Sequence, residues 1–391
     1  MTRIFTTRLF RSALLLTACT LPSLAAAQTV TEANPAIMTA EFCKGGSVII
    51  VDGVRECRIE DSLDALIADF EQMEISGNPI SAGQEGDREA LRKLPDVSQA
   101  AMAEAQRITT EFIKRHSALA ARPMSGEKRL NYDLLGFVLK QRQRLLPFDE
   151  ARIPFTNDSG FFNFMSYVSR QTTFQTVDDY EAYAARLTEM PRFFAQHKAN
   201  MRRGIETNMT ASAEIMPGII STVKELSEGP AKEHSFYTPF KSYPDTISAE
   251  EQARLTSLGE AVITNAVTPA YRDLEKFLSE EYTPKARKVV GIGTTEEGRN
   301  YYRALTRHFT TLDLTPDEVH QIGLDEVARI RGEMDTIIKE LNFNGSFADF
   351  LNFLRTAPQF YATSEEQLLK EAAWMAKQLD GKMPEFFETL P

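Results

Sequence analysis

The feature that most constrains this chain is its hydrophobic period, which from Asp61 onward is 3.6 residues rather than 2. Segment 316–341 shows it best: Val319, Ile322, Val327, Ile330, Met334, Ile337 and Leu341 fall on one stripe, with Asp325, Arg329, Glu333 and Lys339 largely off it. Its ends carry the chemistry that starts and stops a helix. Thr315 is an N-cap followed by Pro316 at the first helical position, Glu318 completes a capping box, and Asn344-Gly345 is a stop. The same start recurs at Thr176/Asp179, Ser248/Glu251, Thr294/Glu297 and Ser364/Gln367. Further helices are predicted over 61–74, 97–121, 127–146 and 212–227, and Pro191 and Pro269 should kink or divide the patterns that contain them. The expected fold is therefore all-α, a multi-helix array.

Some stretches depart from that period. Residues 77–87, rich in Gly and Ser, read as a loop. Residues 148–174 crowd Phe155, Phe161, Phe162, Phe164, Tyr167 and Phe174 without a clean period, which favours core packing over the lining of a cleft. Ahead of the helical body, Val51-Asp52-Gly53-Val54 signals a small N-terminal β-hairpin, since Asp-Gly suits the positive φ angles of a tight turn. Cys43 and Cys57 bracket it, and in an oxidising compartment they are expected to form a disulfide, giving about 3 kcal/mol in the chain-entropy model. Metal binding by the pair is disfavoured because no Cys or His partner lies at zinc-site spacing.

Residues 1–27 read as a signal peptide: Arg3, Arg8 and Arg11 form a basic region, 12–24 a mostly apolar stretch, and Ala25-Ala26-Ala27 a small-residue cleavage site. Leu16-Thr17-Ala18-Cys19 offers an alternative, a lipobox in which Cys19 carries a lipid anchor, but the apolar run before it is short. Either route exports the protein to the periplasm or its membrane surface. No segment is long and apolar enough for a transmembrane span. The expected organisation is a leader 1–27, an extension 28–60 with the hairpin, and a helical domain 61–391.

The formal net charge of −11 and the lack of a long Lys/Arg run exclude nonspecific nucleic-acid binding. There is no nucleophile elbow, P-loop, Cys-x-x-Cys or dinucleotide fingerprint, and Gly291-Ile292-Gly293 lacks the third glycine of the last. A zinc helix needs two imidazoles one turn apart, yet none of the five histidines, His116, His197, His234, His308 and His320, has another within three to five residues. His308 and His320 bracket Thr310, Thr311, Asp313 and Asp317, but a helix end followed by a helix start explains that spacing better than a loop site. His116, His197 and His234 sit among polar residues and read as surface groups.

The run Tyr301-Tyr302-Arg303-Ala304-Leu305-Thr306-Arg307-His308-Phe309-Thr310-Thr311-Leu312-Asp313-Leu314-Thr315-Pro316, with Thr176-Val177-Asp178-Asp179-Tyr180 and Phe347-Ala348-Asp349-Phe350-Leu351, resembles the bacterial family known as domain of unknown function 885 over roughly 63–391. The resemblance implies an exported, largely helical, gluzincin-like zinc metallopeptidase, often a lipoprotein, whose H-E-x-x-H helix lies in a C-terminal half beyond Pro391. It assigns no catalytic or metal residue here, and leaves Tyr302, His308, Thr310, Thr311, Asp313, Thr315 and Pro316 as family-motif residues without a role. The expected function is therefore the N-terminal, substrate-cleft-forming portion of such a peptidase, truncated before the metal site, without bound cofactor and inactive alone. Zinc is expected only in a full-length relative. The alternative is a noncatalytic extracytoplasmic helical module that binds a peptide or protein. Mass spectrometry of the exported chain should find Gln28 at the N-terminus, and a lipid-modified Cys19 there would select the other processing route.

Overall fold

The computed structural model describes residues 47–51 and 54–389, with no side-chain description for residues before 63 or for Gln171. Strands β1 (Ser47–Val51) and β2 (Val54–Arg58) pair antiparallel, with Val48 opposite Cys57. Asp52 and Gly53 of the expected turn, Cys43 of the expected disulfide, and Cys19 with the leader lie outside the described residues. Every longer regular element that follows among the described residues is helical. The order is α1 (Ile59–Ser76), α2 (Pro79–Gln84), α3 (Gln99–Ala118), α4 (Gly126–Leu145), α5 (Phe164–Gln171), α6 (Val177–Thr188), α7 (Met190–Glu206), α8 (Met216–Ser227), α9 (Ala249–Val262), α10 (Thr268–Lys276), α11 (Glu296–Thr310), α12 (Pro316–Glu340), α13 (Phe347–Thr356) and α14 (Glu365–Phe386). Among the described residues no helix is long and apolar enough to cross a membrane.

Most helices begin where side-chain oxygens can take the first free amides. Thr176, Ser248, Thr315 and Ser364 occupy N-cap positions as the sequence predicts. The fifth start is corrected by one residue: Thr295, not Thr294, caps α11 by accepting from the Gly298 amide at 3.0 Å. Glu297 is drawn away to pair with Arg152 instead of closing a box. The loop expected over 77–87 is also corrected, because Asn78 accepts from Ile80 N–H at 3.0 Å and Pro79 starts the short helix α2. Pro191 separates α6 from α7 as a first-turn residue. Pro269 follows a π-helical stretch, Ile263–Val267, whose wider turn relieves the clash a proline ring makes with the carbonyl four residues back.

The chain divides into two compact units, Met1–Leu312 and Asp313–Pro391. In the first, α1, α3 and α4 enclose a small apolar cluster that includes Leu63, Leu66, Phe112, Leu135 and Leu139. A larger core gathers Phe162, Tyr180, Tyr183, Leu187, Phe194, Phe236, Tyr271 and Tyr282. The aromatic stretch 148–174 contributes to it as the sequence favours: Phe155, Phe161 and Phe162 are buried, and Phe164 and Phe174 pack against it. Tyr167 is the departure; it is exposed, with the Arg170 guanidinium 5.9 Å from its ring centre.

In the second unit the stripe on α12 is helical as predicted, but Ile322, Val327, Ile330, Met334, Ile337 and Leu341 all remain exposed, as do Leu368, Trp374, Met375 and Leu379 on α14. The periodicity is there without the burial that periodicity usually records. Phe386 and Phe387 are exposed too. Replacing fully buried Leu187 with Ala should cost about 2–5 kcal/mol in urea denaturation, whereas Val290→Ala at an exposed loop position should cost less than about 0.5 kcal/mol.

Candidate functional site

The first unit contains a cleft of about 360 Å³ walled by α2, the 88–92 segment, the end of α5, residues 172–175 and α6. Ile80, Leu91, Val168 and Ala182 supply apolar surface; Arg88, Thr172, Thr173, Gln175, Asp179 and Arg186 supply polar surface. Asp179 is positioned by the start of α6. Its Oδ2 accepts from the Gln175 and Thr176 amides at 3.0 and 2.8 Å and from the Thr176 hydroxyl at 2.9 Å, while Oδ1 accepts from Arg88 Nη1 at 2.7 Å. Burial pushes this carboxyl up, but the hydrogen bonds from Arg88 and the two amides outweigh it and hold it below the usual carboxylate value. Arg88 also donates to Asp178, which Arg92 approaches from the other side, so the charge of Arg88 is matched.

Arg186 differs. It is only 3% exposed. Its Nε donates to the Lys93 carbonyl at 3.0 Å, and Nη2 donates to the carbonyls of Ala90 at 2.9 Å and Pro79 at 3.5 Å. These bonds tie the chain between α2 and α3 to α6. No Asp or Glu among the described residues pairs with it, and burial lowers it to about 10, still cationic at neutral pH. Buried Gly83 permits the approach: a β-carbon there would lie 3.3 Å from Nη2 and 2.8 Å from a Leu91 methyl. Sequence reading passed over Arg186, although its place between Tyr183 and Leu187, both buried, was a signal that a cation lay on an apolar face.

The histidines do not converge. His197 and His234, read as surface groups, are each 7% exposed, and His116 is half-buried; this corrects the reading from polar neighbours, which misses which helix face turns inward. His197 stacks on Phe161 at 4.1 Å between ring centres and meets Phe193 edge-on at 4.5 Å, with no partner for either ring nitrogen. His116 stacks on Tyr132 and contacts its carbonyl at 2.8 Å, and His234 caps the short turn Ser235–Lys241. Zinc, which the resemblance implies for the family, does not fit these residues: among the described residues no three His, Cys, Asp or Glu side chains group to hold a metal ion.

The family-motif residues divide between the two units. Tyr302 is 51% exposed, whereas its neighbour Tyr301 donates to Glu150 Oε1 at 2.8 Å and packs on Phe148. His308 offers its carbonyl to buried Gln141 at 3.1 Å, and its Nδ1 is buried without a partner. Thr310 caps its own turn through the Thr306 carbonyl at 2.8 Å, and Thr311 ends α11 in the left-handed region at φ 60°. In the second unit Thr315 and Glu318 form a reciprocal capping box at 2.7–3.2 Å, with Pro316 first in α12. Asp313 begins that unit. These geometries stop one helix and start the next.

Acid should expose the buried imidazoles. Desolvation lowers His197 from 6.5 to about 3 and also lowers His116 and His234, so the unfolded chain takes up protons that the folded chain refuses. Stability is complete above pH 6.5 and falls as pH drops from there toward 3. His197→Phe should flatten that loss, read as urea midpoints at pH 7 and pH 5, and an unchanged slope would refute the assignment.

No curated protein matches the sequence significantly. Among solved structures, one described as "the putative lipoprotein from Colwellia psychrerythraea" is similar with a TM-score of 0.74 and 21% identity, covering 85% of this chain and 61% of that one. At that identity the likeness is one of fold, and the chain spans less than two thirds of the length of the protein it matches. The model of the family described as "Bacterial protein of unknown function (DUF885)" matches residues 79–391, which include every wall of the cleft, and the chain belongs to that family.

Proposed function

We propose that this chain forms the ligand-binding, helical portion of an exported protein, and that its role is to hold a small ligand or peptide end in the cleft beside Arg186. The observation that carries this is the make-up of the cleft: an apolar wall faces a polar one, and none of the lining residues is His, Cys or Ser. Such a surface can bind and orient, but it offers neither an activated nucleophile nor an imidazole base.

The zinc-peptidase chemistry implied by the resemblance belongs, on this reading, to sequence outside this chain. The 61% coverage of the longer matched protein supports that, as do the exposed stripes of α12 and α14, surfaces that additional polypeptide would cover. Export follows from the leader 1–27, cleaved after Ala27 or cut so that Cys19 carries a lipid, and the similar Colwellia protein, described as a lipoprotein, supports the second route. The disulfide between Cys43 and Cys57 remains part of the proposal for the N-terminal extension.

Calorimetry of the purified chain against short capped peptides and small organic acids should give saturable binding without turnover. Metal-dependent cleavage of those peptides by this chain would overturn the noncatalytic reading. Absence of binding by every probe would overturn the cleft.

A further inference from the structure

Most buried arginines are matched by a carboxylate, because removing a guanidinium from water without a counter-charge is costly. Arg186 is 3% exposed, and its partners among the described residues are backbone carbonyls alone. Carbonyls satisfy the N–H donors on Nε and Nη2 but leave the charge uncompensated. Its Nη1 has no partner among the described residues and is not one of the fully occluded unpartnered atoms, while the residue lines the cleft. The other cation of the wall, Arg88, is neutralised by Asp178 and Asp179. The cleft therefore carries one positive charge that no carboxylate among the described residues answers.

We propose that this cleft takes a monocarboxylate with a small apolar body, its carboxylate on Arg186 Nη1 and its apolar part against Ile80, Leu91, Val168 and Ala182. A charge-assisted bond from a desolvated arginine is among the stronger polar contacts available to a small ligand. The ionised Asp179 on the same wall disfavours a phosphate dianion, and about 360 Å³ admits a body of the size of one capped amino acid. This inference rests on the reading of the cleft as a ligand site and names what that site selects.

The test is calorimetry of the full chain at pH 7 with N-acetyl-leucine, N-acetylleucinamide and inorganic phosphate. The acid should bind saturably, the amide at least tenfold more weakly, and phosphate not measurably. Arg186→Met should abolish binding of the acid. Because Arg186 also holds the 79–93 segment, a second variant protects the test: Thr173→Trp, at an exposed position on the cleft, should block the acid while leaving the melting temperature unchanged. Equal affinity for acid and amide would overturn the carboxylate assignment while the cleft stands. Tighter binding of phosphate than of the acid would also overturn it. Binding of the acid to Thr173→Trp as to the native chain would remove the cleft as its site, and no binding by either leucine probe would overturn both readings.

Discussion

The first unit depends on buried tyrosine hydroxyls that answer backbone groups of the irregular segments. Tyr271 donates to the Phe162 carbonyl, Tyr183 to that of Phe236 at 3.2 Å and Tyr180 to that of Ser242 at 3.2 Å, while the Ala211 amide donates to the Tyr282 hydroxyl at 2.8 Å. Each rings-and-hydroxyl pairing does two jobs. The ring fills the core, and the hydroxyl satisfies a peptide group that has no helical partner. Burial pushes the pKa of all four phenols up, so the hydroxyls stay protonated across the physiological range. The segments around Phe162, Ala211 and Phe236 are thereby fixed to α6, to α10 and to the π-helical turn Phe277–Tyr282 that follows α10.

Helix α6 is where this scaffold meets the cleft. One side of it sends Tyr180, Tyr183 and Leu187 into the core; its first turn holds Asp179 in a hydrogen-bonded box; and Arg186 reaches back to the carbonyls after α2. A single helix thus sets the spacing between a matched carboxylate and an unmatched guanidinium. Rigidity comes from the packing of its apolar residues, and the charge imbalance from Arg186 set between buried Tyr183 and Leu187. A chain with no recognisable catalytic motif thus presents a cavity that joins an apolar wall to a buried guanidinium.

Much of the helical framework was legible because it is written locally. Thr176, Ser248, Thr315 and Ser364 cap the helices their neighbours predict, since an N-cap and its acceptor amide lie within three residues. Reading failed where longer-range partners intervened. Glu297 left its expected box for Arg152, 145 residues away in sequence, and Asn78 with Pro79 built a helix from a stretch whose composition reads as loop. The motif around His308 to Pro316 was visible, but its visible residues turn out to end and begin helices. Arg152, Tyr301, Arg186 and His197, which make the long-range contacts, carried no spacing signal strong enough to select them.

The sequence by itself determined an all-helical body, its capping points and the stripe on α12, because these depend on periods and on side chains a few residues apart. Only the tertiary structure decided that the α12 stripe stays exposed, that His197 lies sealed between Phe161 and Phe193, and that Arg186 lines a cavity without pairing to any carboxylate among the described residues. The physical reason is that burial and charge compensation are properties of neighbours brought together by packing. Local spacing fixes which way a side chain leaves its helix; what it meets there is settled by segments a hundred residues away.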